Sequence, residues 1–156
     1  MKKAICLVLF LFVASAASCV GTRQIKAEDD IRETAFRYQF SPWLRQIPER
    51  DRGKISFFLS VGENKEDPSN DLMNRFMNDK PAVKARSHAT GGLSGVKDRD
   101  TGQAGVIFYL SNVKWLSDAE VEVEGAYFQS GVTSSRSTFH LTKKNDKWVV
   151  TKETRH

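Results

Sequence analysis

Apolar residues recur along this chain with two different periods, and the change of period predicts where helix gives way to sheet. Ile31, Ala35 and Tyr38 fall at i, i+4 and i+7, with Phe36 and Phe40 alongside, the stripe of an amphipathic helix. Glu28, Asp29 and Asp30 lie in its first turn, where the helix dipole favours acids. Ser41-Pro42 ends the helix in this reading, because the residue before a proline avoids the helical region, and Trp43 to Ile47 forms a further turn. Ile55 to Val61 reads as a buried strand. Ser69, behind Pro68, caps a short second helix with Leu72, Met73, Phe76 and Met77 as its apolar face. Pro81 to Ser87 reads as another strand. The Gly-rich, polar residues 88 to 105 read as a loop or a pair of turns.

The last fifty residues carry the clearest pattern. Val106 to Trp115, Glu120 to Ser130, Ser135 to Lys143 and Trp148 to Arg155 are strand-like runs. Ser117-Asp118, Gly131 and Asn145-Asp146 between them are turn chemistry, so the runs predict an antiparallel meander. Two-residue turns at Ser117-Asp118 and Asn145-Asp146 pair Leu110 with Gly125 and Leu141 with Val150. One face then collects Phe108, Leu110, Val121, Val123, Tyr127, Phe139, Leu141, Trp148 and Val150. The other carries Glu120, Glu122, Glu124, Arg136, Thr138, His140, Thr142 and Thr151. Such segregation suits a sheet buried on one side, and the helix from Glu28 is its natural cover. The expected class is α+β: an N-terminal helix packed on a curved antiparallel β-sheet that ends in a four-strand meander.

The first residues follow a different logic. Lys2 and Lys3 precede an apolar run from Ala4 to Val13, then small residues from Ala14 to Ser18, then Cys19. A charged start, a short apolar stretch and small residues make a bacterial-type secretory signal peptide. The apolar stretch is shorter than the about 20 residues a membrane span needs. Two cleavage routes stand open. Ala14-Ser15-Ala16 is an A-x-A site that would release a soluble chain. Ala16-Ala17-Ser18-Cys19 resembles the lipobox of bacterial lipoproteins, with Ala where Leu is preferred at the first position. That resemblance implies a diacylated Cys19 as the first mature residue. Val20 behind it, rather than Asp, then implies the outer membrane of a two-membrane host. The expected division is a signal peptide over 1–18, a polar tether over 19–27 and one α+β domain over 28–156. The expected address is the bacterial cell envelope, lipid-anchored in the periplasm or outer membrane, or otherwise secretion.

Composition narrows the class without naming a ligand. The chain has 156 residues, 40% hydrophobic and 28% charged, the mix and length of one globular domain. It carries 24 Lys and Arg against 19 Asp and Glu, formally +5. Loss of Lys2 and Lys3 with the signal lowers that charge, which is too slight to argue for nucleic acid. Cys6 leaves with the signal, so Cys19 is the mature chain's one cysteine and no internal disulfide can form. Lipidation would also cap a thiol otherwise exposed in an oxidising compartment.

A helix, a strand, a short helix and a long meander ending in Asn145-Asp146-Lys147-Trp148-Val149-Val150 resembles the nuclear transport factor 2-like superfamily, an α+β cone with helices on a bent sheet around a pocket. Ser60-Val61-Gly62-Glu63, Asp67-Pro68-Ser69 and Val121-Glu122-Val123-Glu124-Gly125 more narrowly resemble a group of uncharacterised bacterial exported proteins, and the likeness spans Asp30 to Thr154. These motifs are structural, so the resemblance implies a fold and not an activity. The superfamily includes isomerases, cyclases, dehydratases and domains without catalysis. The pocket it implies lies between the helix and the inner face, lined by Tyr38, Phe108, Leu110, Tyr127, Phe139 and Trp148.

Candidate chemistry is sparse. The inner face offers Tyr38, Asn112, Tyr127 and Ser137 as polar groups and no Asp, Glu or His, which argues against acid–base catalysis. The row Glu120, Glu122, Glu124 faces Arg136, His140, Thr142 and Lys144, so cross-strand charge pairing accounts for it without a metal. Glu124 and His140 are expected nearly opposite one another. Asp98-Arg99-Asp100-Thr101-Gly102 opens like a calcium loop but lacks the third ligand and the distal Glu. Gly91 to Lys97 lacks phosphate-loop spacing, and no G-x-S-x-G occurs. His88, His140 and His156 are too scattered for a metal motif. No catalytic residue, metal or cofactor is nominated. Ile107, Tyr109, Ala126 and Phe128 form an apolar patch on the outer face, expected to meet a second copy in a homodimer or the 88 to 105 loop.

The resulting expectation is an exported, lipid-anchored, non-catalytic domain that binds a small apolar ligand or an envelope protein. The alternative is an isomerase-, cyclase- or dehydratase-type enzyme whose base comes from a helix or loop, Glu33 and Asp71 being the positions of interest. A third reading sets a basic surface of Lys143, Lys144, Lys147, Lys152 and Arg155 against anionic lipid or polymer.

Overall fold

The amphipathic helix and the inner face of the meander meet as the two layers of an α+β fold, a curved and mostly antiparallel open sheet with one long helix across it. The computed structural model describes the chain from Ala16 to His156 apart from Leu93 and Val132, with no description of the side chains before Ile25 or at Thr133. Most of the expected signal peptide, and the side chain of Cys19, therefore lie outside the described residues. Among the described residues no helix is long and apolar enough to cross a membrane.

Helix α1 runs over Ala16–Gln46. It begins ahead of Glu28, so the stretch expected as a tether is helical, and it also passes through Pro42 instead of stopping at Ser41. A proline inside a helix removes one hydrogen bond and crowds the preceding turn. The helix continues because Trp43 and Leu44 pack on the core cluster, and Ile47 N still donates to Trp43 O at 3.0 Å. After a 3₁₀ segment at Glu49–Lys54 come β1 (Ile55–Val61) and α2 (Asn70–Asn74). Ser69 Oγ caps α2 by accepting from Leu72 N at 3.1 Å. Leu72 and Phe76 are buried there, while Met77, expected on the same face, is exposed.

Next are β2 (Ala82–Ala85), β3 (Ala89–Gly92), β4 (Gly95–Asp98), β5 (Ala104–Leu110), β6 (Lys114–Ser117), β7 (Glu120–Ser130), β8 (Thr133–Lys144) and β9 (Lys147–Arg155). The main sheet order is β2-β1-β5-β7-β8-β9, with β4 joining β5 and β6 joining β7. β1 is parallel to both its neighbours, a corner that alternation along single strands does not reveal. The polar stretch expected as a loop is the β3–β4 hairpin.

Leu141 opposes Val150, as the Asn145-Asp146 turn predicts. Leu110 opposes Gly125 as expected, but the turn itself is Asp118-Ala119 rather than Ser117-Asp118, and β6 pairs with β7 in a shifted register. Two departures matter. The run from Val106 to Trp115 splits at Ser111, whose Oγ accepts from Glu124 N at 3.0 Å, so β5 and β6 pair separately with β7. The second is a bulge in β9: Leu141 opposes Val150, but His140 opposes Lys152. Thr151 is the extra residue, and its hydroxyl donates to His140 O at 3.2 Å. A one-residue offset reverses the faces of everything beyond it, so Glu153 and Arg155 pair with Phe139 and Ser137 and turn inward.

The inner core is aromatic. Phe40 lies 4.9 Å from both Phe57 and Phe108, with Phe36 and Phe76 completing the cluster. Full burial of each such ring contributes roughly 1.5–3 kcal/mol. A smaller cluster forms on the other face, where Ala89 and Val96 of the hairpin cover Phe58 together with Ile107 and Phe128.

A buried carboxylate ties the hairpin to the sheet. Asp98 accepts from Lys84 Nζ at 2.8 Å, Ser56 Oγ at 3.1 Å and Asp100 N at 2.9 Å. Burial is the largest influence on Asp98 and pushes its pKa upward, but these donors outweigh it and hold the carboxyl at about 2, below its ordinary 3.8. Its stabilising contribution is therefore complete above about pH 4 and is lost as pH falls through 2. Asp98→Ala should cost about 2–3 kcal/mol, below the cost of fully buried pairs because Lys84 is partly solvated and keeps Asp100. Urea unfolding at neutral pH and down to pH 2 checks both, with the variant losing part of the acid dependence.

Candidate functional site

Where α1 passes its proline, the helix and sheet part to leave a cleft of about 410 Å³. Tyr38, Gln39, Pro42 and Trp43 form its helical wall, and the inner faces of β7, β8 and β9 form the other. Two aromatic pairs bound it: Tyr38 with Phe139 at 5.5 Å and 67°, and Trp43 with Tyr127 at 5.4 Å and 85°. Position 125 on its floor has no side chain, which lets the Phe139 ring and the Gln39 amide settle against the strand. A Cβ on Gly125 would come within 2.3 Å of the Phe139 ring and 2.6 Å of Gln39 Nε2.

The bulge supplies the charged groups. Glu153 Oε1 accepts from Ser137 Oγ at 2.8 Å and from Arg155 Nε at 3.2 Å, and Tyr38 donates to its Oε2 at 3.3 Å. Burial is the largest influence on Glu153 and pushes its pKa up, yet the Ser137 and Arg155 bonds carry it below the ordinary value. Tyr38 is shifted the other way: burial first, then the Glu153 charge, raises its phenol pKa. A carboxylate engaged by three donors and biased to the charged form is a weak general base, since efficient bases titrate near the working pH. The expectation of an inner face without any acid is corrected here, because Thr151 shifts the register.

Gln39 is the other unusual group. It is 9% exposed, and its Nε2 donates to Ala126 O at 3.4 Å. Its Oε1 is buried with no partner among the described residues. An amide oxygen left so costs about 1–3 kcal/mol.

The sequence candidates divide between places. Tyr38, Tyr127 and Phe139 line the cleft, whereas Phe108, Leu110 and Trp148 are packed in the core. Ile107 and Phe128 pack at the hairpin, while Tyr109 lines a second concavity of about 600 Å³ on the outer face. Glu122 and Glu124 line that concavity with His140. His140 opposes Glu122 rather than Glu124, with Nδ1 3.4 Å from Oε1 of Glu122, while Lys114 Nζ lies 2.9 Å from Oε2. The Lys114 hydrogen bond, first among its influences, lowers the Glu122 pKa. Among the described residues no three His, Cys, Asp or Glu side chains are grouped to hold a metal. Glu33 is away from the cleft, bound to Arg37 at 2.9 Å and Arg75 at 3.1 Å, and Asp71 is exposed. Of the basic candidates, Arg155 turns into the cleft and Lys143 lies 3.4 Å from Asp146. Sequence reasoning missed Gln39, Trp43, Glu153 and Arg155 as cleft residues. Trp43 was hidden by the expected helix stop, and Glu153 and Arg155 by the bulge.

No family model matches the chain, and no curated protein matches it. It is similar to a solved NTF-2-like protein of unknown function from Shewanella oneidensis MR-1, with 12% identity over 88% of this chain and 98% of that one, at a TM-score of 0.30. The α+β class rests on the element order and sheet described above.

Glu153→Gln should bring the Tyr38 phenol down toward its ordinary pKa, leaving burial, which raises it, against the charges of Arg155 and Arg45, which lower it; ultraviolet titration of the tyrosines reads the shift. Gly125→Ala should destabilise the fold by about 1–3 kcal/mol, the usual cost of overpacking, which thermal or urea unfolding measures.

Proposed function

We propose that the chain is an exported envelope domain, held at the membrane by a lipid on Cys19, that binds a ligand in the cleft between α1 and β7–β9 without transforming it. The state of Glu153 carries the reading of binding over catalysis. It is the cleft's carboxylate, and its oxygens are already committed to Ser137, Arg155 and Tyr38. An isomerase or cyclase would need that group free and titrating near neutrality, whereas its pKa lies below the ordinary carboxylate value. The cleft's partly exposed aromatic rings and neutral polar groups suit recognition. Export and anchoring rest on the Lys2 to Cys19 sequence.

Native mass spectrometry of the protein from its own host's envelope tests both halves. The expected species starts at Cys19, carries a lipid-sized adduct and releases its non-covalent ligand unaltered. A bare chain starting at Ala17 overturns the anchor. Conversion of the released ligand by added protein overturns the non-catalytic reading.

A further inference from the structure

The polar groups of the α1–sheet cleft define the kind of ligand it takes, an inference that rests on the cleft being a binding site. Its two charges, Glu153 and Arg155, are 3.2 Å apart and cancel. The remaining polar groups are neutral: Gln46, Gln129 and Ser135 line the cleft and make no side-chain hydrogen bond among the described residues. Beneath them Gln39 Oε1 is a buried acceptor without a donor among those residues. Trp43, Tyr127 and Tyr38 add ring surfaces, each partly exposed. The occupant must therefore bring no net charge, several hydrogen-bonding groups, at least one donor for Gln39, and an apolar face for the rings.

The geometry points to a neutral, hydroxyl-rich ring, a sugar residue of hexose or N-acetylhexosamine type, seated between Trp43 and β7–β8 with one hydroxyl donating to Gln39 Oε1. A sugar ring carries C–H groups on its faces and hydroxyls around its edge, which matches rings on the walls and amides at the rim. A purely apolar ligand would desolvate the amides of Gln46 and Gln129 without replacing their hydrogen bonds. An ion would meet a pair already neutralised. Over β7 and β8, which are paired on both sides, a peptide finds no ladder to join, and the free edge of β9 is where it would pair instead. The terminal torsion of glutamine has a broad minimum, so Gln39 can turn Oε1 toward the cleft. The turn gives up the long bond of Nε2 to Ala126 O, and the sugar's hydroxyls must then serve both atoms of the amide.

The test titrates the full chain with maltotriose, chitotriose, glucose and N-acetylglucosamine, following indole and amide resonances by NMR. At least one saccharide should saturate shifts at the Trp43 indole and the Gln129 amide while the Trp115 indole stays still. Gln39→Met keeps the side-chain length and removes the acceptor, and should weaken that affinity about tenfold. Gln129→Ala provides a second, less buried variant with the same direction of effect. Tighter binding of a trimer than of its monomer assigns an envelope glycan, and equal binding a free sugar. Shifts saturated by triglycine or cyclohexanol with every saccharide silent overturn the sugar assignment and leave the binding cleft standing. Silence with all probes overturns both. Unchanged saccharide affinity in folded Gln39→Met overturns the role of Gln39.

Discussion

The contact of Phe40 with Phe57 and Phe108, at 4.9 Å to each ring, locks the middle of α1 onto the β1–β5 pair and decides where space is left in the interior. Phe36 and Phe76 close the cluster from the α2 side, so the region over β1 and β5 is filled by rings. Close packing at that density leaves no room for a ligand there. One turn further along, the helix passes Pro42 above β7 and β8, where Gly125 contributes no side chain. The cleft is thus what remains after Phe40 is seated. Its helical wall is Tyr38, Gln39, Pro42 and Trp43 because those residues lie on either side of Phe40.

The parts legible in the sequence are those governed by alternation and turn chemistry. The pairing of Leu141 with Val150 follows from the Asn145-Asp146 turn, and that of Leu110 with Gly125 from the segregation of apolar from charged positions, although the turn before β7 lies one residue later than expected. The Ser69 cap and the bounds of β1 were equally visible. Three features were not, and each depends on contacts distant in sequence. Helix α1 survives Pro42 because Trp43 and Leu44 find the core. The parallel place of β1 between β2 and β5 depends on pairings that no local pattern encodes. The Thr151 bulge sits among Thr151, Lys152, Glu153 and Thr154, where every residue is polar and alternation carries no phase. The candidate site was legible in Tyr38, Tyr127 and Phe139 and not in its polar half.

Electrostatics separate the two concavities of the sheet. On the outer face Glu63, Glu122 and Glu124 lie with Lys114 and His140, and Glu122 takes both nearby bases. Lys114 is largely solvated while Glu122 and His140 are partly so, and partly exposed pairs of that kind add little to stability. On the inner face the Glu153–Arg155 pair and the Ser137 hydroxyl form a closed set with Tyr38 against a partly apolar wall. Glu153 is the sheltered partner, while the Arg155 guanidinium is largely solvated, so the pair itself adds little to stability. Opposite charges two residues apart on one strand share a face, so Arg155 reaches Glu153 at 3.2 Å from the solvent side.

That pairing explains what the bulge in β9 accomplishes. If the register of Leu141 with Val150 continued unbroken, Lys152 would oppose Phe139 and Thr154 would oppose Ser137. The cleft would then hold one ammonium and no carboxylate, while Glu153 and Arg155 would face solvent. The extra residue at Thr151 replaces a lone cation by a matched ion pair and gives the Tyr38 hydroxyl and Ser137 an acceptor. The cost is one irregular step in an edge strand, offset by the Thr151 hydroxyl bond to His140 O. A strand edge tolerates such a step because its outer groups have no ladder to break. The same strand would lose the whole constellation through a single-residue change in length, although no residue that lines the cleft had been altered.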